Sequence, residues 1–149
     1  MERRTLYRHF PNEADLYAAC STHYFAANPW PDPEGWRAIR DPQKRLERAL
    51  DELYAYYERT EPMFNNVLRD AEHVDFARDA VAPLYAYLEE AAEILTSGRQ
   101  VRGRRRELLG GAARHALAFS TWRSLSSNGI ERSDAAKLMT ALVEDAATP

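Results

Sequence analysis

Apolar positions recur at helical spacing along most of the chain, most clearly after Asp41-Pro42, an N-cap residue followed by proline at the first helical position. Leu46, Ala49, Leu50, Leu53, Tyr54 and Tyr57 then fall at i, i+3, i+4, i+7, i+8 and i+11, the signature of a strongly amphipathic helix. Glu61-Pro62 is expected to end it, and Met63, Phe64, Val67, Leu68 and Ala71 predict a shorter helix with Asn65, Asn66, Arg69 and Asp70 on its polar side. A third pattern runs through Phe76, Ala77, Ala80, Val81, Leu84, Leu88, Ala91 and Leu95 to Gly98, a helix-stop residue, with Pro83 as a kink. These one-sided helices need a common partner, and the stretch Glu107 to Ser124 supplies one. It is predicted as a helix with two apolar stripes, Leu108, Ala112, His115, Phe119 and Trp122 on one and Leu109, Ala113, Ala116 and Leu117 on the other. After Asn128-Gly129, Ser133 to Ala147 reads as a last helix with Ala135, Leu138, Met139, Leu142 and Ala146 on one face.

The N-terminal fifth is punctuated differently. Leu6 and Phe10 share one face of a short helical piece that stops at Pro11; Asn12 then caps a longer helix with Leu16, Tyr17, Cys20 and Tyr24 inward. From Asn28 to Asp41 three prolines and a glycine make a connector, whose Trp30 and Trp36 are expected to pack onto the body of the domain, the alternative being that one of them closes over a ligand pocket.

Composition narrows the class. A chain of 149 residues has the length of one domain, and its six scattered glycines leave few turns for a many-stranded fold, so the expectation is all-α. The single cysteine, Cys20, rules out an internal disulfide framework, and the absence of a long apolar run or signal-like start predicts a cytoplasmic protein with no membrane partner. A net charge of −3 argues against gripping nucleic acid over the whole surface, but basic charge is local, at Arg3, Arg4 and Arg8 and again from Arg99 to Arg106. The second cluster is expected to be a solvated, self-repelling loop.

Few residues carry candidate chemistry. His73 lies among Asp70, Glu72 and Asp75 without a second histidine one turn on, so a solvated helix end is expected there and no metal site. Cys20 and His23 sit at i, i+3, where core packing is the better reading of the cysteine. No G-x-S-x-G, H-E-x-x-H or G-x-x-x-x-G-K spacing occurs, so neither catalysis nor a cofactor is expected. His115 on an apolar stripe is either a satisfied core histidine or a polar anchor in a pocket. Tyrosines concentrate on helices that must converge; aromatic stripes at helical spacing usually form core, while their hydroxyls would also suit a planar apolar ligand. The candidate pocket is Tyr54, Tyr57, Phe64, Leu88, His115 and Phe119.

The run T-L-Y-R-H-F-P-N from Thr5 to Asn12, a short basic helix turning into a longer apolar one, resembles the second half of the DNA-binding domain of TetR-type transcriptional repressors. The resemblance implies a TetR-like helical bundle, with residues 1–15 as the remnant of the helix-turn-helix and residues 16–149 as the ligand-binding and dimerisation domain. It implies operator DNA contacted by Arg3, Arg4, Thr5, Tyr7, Arg8 and His9, with Tyr7 and His9 on the backbone and Arg3, Arg4 and Thr5 facing the groove. It implies a homodimer through the last two helices, for which the small-residue run and the second stripe nominate Gly110, Gly111, Ala113, Ala116, Leu138 and Leu142, and a small apolar effector that changes the spacing of two heads. In that family about two further helices precede the run, whereas here only Met1 to Arg4 do, and Glu13 stands where a phosphate-contacting cation is common. The chain alone is therefore expected to bind DNA weakly and without sequence preference. The alternative is a dimeric ligand-binding or interaction module that does not bind DNA by itself.

Overall fold

The structure, a computed structural model, describes residues 12–148, and these form helices joined by short turns with no strand among them. The helices are α1 (Glu13–Ala27), α2 (Pro33–Arg37), α3 (Pro42–Ala71), α4 (Asp75–Thr96), α5 (Gly103–Leu117), α6 (Phe119–Ser127) and α7 (Arg132–Ala147). The all-α class is therefore what the chain adopts. No helix among the described residues is long and apolar enough to cross a membrane.

Local chemistry sets the starts and stops. Asn12 caps α1 by accepting from the Asp15 amide at 2.8 Å, and Asp41 caps α3 by accepting from Gln43 N and Lys44 N at 2.9 and 3.1 Å. Gly98 follows the end of α4 at a φ of 78°, a left-handed conformation that glycine adopts without strain. Gly129, at the same φ, does so after α6.

Two boundaries differ from the periodicity reading. The helix expected to end near Pro62 does not end: α3 runs unbroken through it. Proline removes one ladder hydrogen bond at about 3 kcal/mol. Tyr56, Tyr57, Thr60 and Phe64 are buried on both sides of it, and their burial outweighs that loss. Conversely, the helix expected over 107–124 breaks at Ala118, whose backbone is extended (φ −68°, ψ 135°).

Two units make up the chain, one of residues 12–30 with Thr60–Leu84 and the other of Pro31–Arg59 with residues 85–148. In the first, Val67, Ala71, Ala77 and Val81 form the buried cluster, and Tyr17, Met63, Leu68, Val74 and Phe76 pack against it. Tyr17 meets Phe76 edge-on at 5.4 Å, and Phe25 meets Phe64 at 6.4 Å and Trp30 at 5.6 Å. The inner face of α1 thus runs through Tyr17, Ser21 and Phe25. Cys20, expected in the core, is exposed because it falls off that face.

In the second unit Leu46, Leu50, Leu53, Ala91 and Leu95 pack with Leu109, Ala113, Ala116 and Leu117 of α5 and with Ala135, Met139 and Val143 of α7. Trp36 of the connector is buried as expected, its indole N–H donating to Glu52 at 2.7 Å. Arg45 is buried too: its Nε donates to Ile39 O at 2.9 Å, and its Nη1 to Ile94 O at 2.9 Å and to Ser97 Oγ at 2.8 Å. That guanidinium closes the C-terminus of α4, where free carbonyls and the helix dipole both favour a cation.

Candidate functional site

The break at Ala118 organises the proposed pocket region. A continuous helix would carry Phe119 and Trp122 on the same stripe as Leu108 and His115. The extended residue resets the phase, so Phe119, Thr121 and Trp122 turn inward while His115 and Leu108 remain exposed. Interrupting a helix leaves carbonyls without their i+4 amides. Here Tyr54 and Tyr57 of α3 take them over, the Tyr54 hydroxyl donating to Ala116 O at 2.7 Å and the Tyr57 hydroxyl to Leu117 O at 2.8 Å. On the other side of the break the Thr121 and Trp122 amides turn back to Ala118 O. Burial pushes both tyrosine hydroxyls above their usual range, and for Tyr57 the neighbouring Tyr87, Tyr54 and Tyr56 add to the shift. They stay neutral and remain donors.

These rings fill the space rather than line it. Tyr54 stacks on Tyr57, and Tyr57 meets Phe119 edge-on at 5.3 Å and Trp122 at 6.0 Å. Of the six residues nominated for a pocket, Tyr54, Tyr57 and Phe119 therefore come together as packed core, Leu88 is half-buried, and Phe64 belongs to the other unit. His115 is corrected outright. It is exposed, with Thr121 Oγ1 lying 3.4 Å from its Nδ1. Phe64 borders a narrow apolar crevice with Phe25, Met63, Val67, Leu68 and Leu84, too tight to hold a water molecule.

The nominated dimer residues divide as well. Ala113 and Ala116 are fully buried inside the chain's own unit, so they are unavailable to a second copy. Gly111 is exposed, with nothing within 4 Å of where a Cβ would stand, and Gly110 is half-exposed beneath the Arg114 guanidinium. On α7 the inward residues are Ala135, Ala136, Met139, Thr140 and Val143, which leaves Leu138 and Leu142 outward at 48% and 42% exposure. Leu108 of α5 is 48% exposed. So α5 and α7, which pack on each other, both leave leucines in water.

Arg3, Arg4, Thr5, Tyr7, Arg8 and His9 lie outside the described residues. Glu13 is exposed in the first turn of α1, where a carboxylate favours the helix and repels a phosphate. His73 is exposed in the α3–α4 turn, and among the described residues no group of three histidine, cysteine or acidic side chains is placed to hold a metal.

Two features escaped sequence reasoning. The break at Ala118 has no local signal, because the hydroxyls that receive its carbonyls come from Tyr54 and Tyr57, some 60 residues away. The sequence predicts a solvated loop for the arginines of 99–106, yet the Arg99 side chain is buried and paired through both terminal nitrogens with Glu144. No protein-family model, curated protein or solved structure matches this chain.

Proposed function

We propose that this chain is the regulatory part of a TetR-type transcriptional repressor, cytoplasmic and homodimeric, whose α5 and α7 pair with a second copy and whose conformation answers to a small apolar effector. The observation that carries the reading is the run from Thr5 to Asn12 leading into a helix that Asn12 caps. The outward Leu108, Leu138 and Leu142 support the dimer, because a second copy would take them out of water together. The crevice beside Phe64 supports an apolar effector, which must pry it open to enter.

Selection from a random DNA pool tests the reading. It is run on this chain and on a version that includes whatever the reading frame ahead of the Met1 codon encodes. The longer protein is expected to enrich a palindrome with half-sites about one helical turn apart, and this chain to enrich nothing. Light scattering is expected to give twice the 17.1 kDa chain mass, and Leu138→Glu with Leu142→Glu to return it to one. A dimer with no enrichment by either version favours the second reading, an effector-binding or interaction module without DNA binding, which the exposed Glu13 supports. A monomer sinks both.

A further inference from the structure

The first turn of α5 is built against ordinary helix energetics. Its N-cap residue, Arg102, makes no side-chain capping bond, so the leading amides have no partner of that kind. Acidic residues are absent from the turn, and Arg104, Arg105 and Arg106 occupy it instead. Cations repel the positive end of the helix dipole, and an uncapped start forgoes a stabilising bond. Both faults become assets if an anion sits there.

An open cleft adjoins this turn, walled by Arg99, Arg102 and Arg105 from the α5 side and by Glu144 and Thr148 from α7. Arg102 and Arg105 have no ion-pair partner among the described residues. Arg104, one residue away, is paired with Glu107 at 2.9 Å and does not line the cleft. The independent observation is Arg99. Its side chain is 8% exposed, its two terminal nitrogens are spent on Glu144, and its Nε is buried with no acceptor among the described residues. A guanidinium N–H buried without an acceptor is unfavourable, and an anionic oxygen removes that fault.

We propose that this cleft, beside the N-terminus of α5, is a binding site for a phosphate-bearing small molecule held by Arg99, Arg102 and Arg105. Three guanidinium groups face one carboxylate there, and a phosphate monoester at neutral pH carries close to the double negative charge that balances them. The guanidinium fork matches two phosphate oxygens at once, a geometry that lysine would not provide. The site stands independently of the repressor reading and lies entirely within the unit of Pro31–Arg59 and residues 85–148.

Calorimetric titration of the whole chain with inorganic phosphate and with glycerol 3-phosphate tests it. Saturable one-to-one binding is expected, with a dissociation constant below about 1 mM for at least one of them. Tighter binding of glycerol 3-phosphate assigns an organic monoester, and equal binding assigns the free anion. Arg102→Ala combined with Arg105→Ala is expected to weaken binding about tenfold or more. Arg104→Ala removes a charge from the same turn and should change affinity by less than about twofold. The Arg102 and Arg105 side chains make no ion pairs among the described residues, so their variants should fold where an Arg99 variant fails. A dissociation constant above about 1 mM for both probes, or no saturation by either one at about 10 mM, overturns the proposal. So does an Arg104→Ala loss as large as that of the cleft pair, which would show diffuse attraction of anions, nucleic acid included.

Discussion

Arg45 and Arg99 are both buried arginines beside the turn that joins α4 to α5, and the protein satisfies them in opposite ways. Arg45 spends its donors on backbone and hydroxyl oxygens, Ile39 O, Ile94 O, Ser97 O and Ser97 Oγ, at 2.8 to 3.2 Å. Arg99 meets a carboxylate end-on and keeps one buried N–H unused. An arginine whose donors close a helix end is spent on the fold. One that borders a cleft with capacity left, next to two cations that have no ion-pair partner among the described residues, is the one proposed above to meet a ligand. Breaking each in turn separates the two roles.

Arg45→Leu should have the largest effect. It strips the donor from carbonyls at the end of α4 and at Ile39, and buried acceptors left unpaired cost about 1–3 kcal/mol each. A loss of about 2–4 kcal/mol, read as a fall in urea midpoint at unchanged slope, is expected. If Arg45→Leu unfolds at the parent midpoint, that guanidinium is not what closes the helix, and the contrast with Arg99 collapses.

Tyr57→Phe comes next, and it asks whether the carbonyls at the α5–α6 break depend on a side chain as those of α4 do. Losing the hydroxyl orphans Leu117 O at about 1–2 kcal/mol, with Tyr54→Phe acting alike on Ala116 O. The same residues set the alkaline limit. Their folded pKa values lie above the usual 10.0, so the stability they contribute is fully present below about pH 10 and is lost as pH rises beyond it. The parent melting temperature should hold to about pH 9 and then fall, and Tyr57→Phe, already less stable, should fall less steeply between about pH 9 and 11. A parallel decline in both would place the alkaline sensitivity elsewhere.

The legible part of this molecule is the part decided locally. Asn12, Asp41 and Gly98 announced helix ends because their side chain or its absence acts within a few residues. The spacing from Leu46 to Tyr57 marked a buried face because the helix period alone places those residues together. What stayed hidden depended on partners far along the chain. Pro62 looked like a stop, and burial on both sides of it kept the helix intact. The Ala118 break exists because hydroxyls some 60 residues away receive its carbonyls. His115 shares a stripe with Phe119 only in an unbroken helix, so one reset of phase sent it to the surface and Phe119 to the core. Arg99 looked solvated because nothing within the basic run reveals a glutamate 45 residues on.

Glu144→Gln is the smallest change in stability and the sharpest test of the comparison. Glu144 is 30% exposed and the Arg99 side chain 8%, and an amide keeps one acceptor while leaving the second terminal nitrogen unpaired, so a cost of about 1 kcal/mol is expected. Its effect on the cleft runs the other way. Removing the one carboxylate that faces Arg99, Arg102 and Arg105 leaves the cations uncompensated, and phosphate affinity should rise several-fold at low salt, with the gain shrinking as salt screens it. Ser97→Ala is the matched control. It removes an oxygen that accepts from Arg45 at 2.8 Å and donates to Ile94 O at 2.7 Å, at a cost near 1 kcal/mol, and it lies outside the cleft wall. If Arg45 is spent and Arg99 is not, both variants lower the melting temperature modestly, but Ser97→Ala leaves phosphate affinity within about twofold whereas Glu144→Gln tightens binding. Should both variants change affinity alike, the two arginines belong to one coupled network, and the division of roles drawn from their hydrogen bonds is wrong.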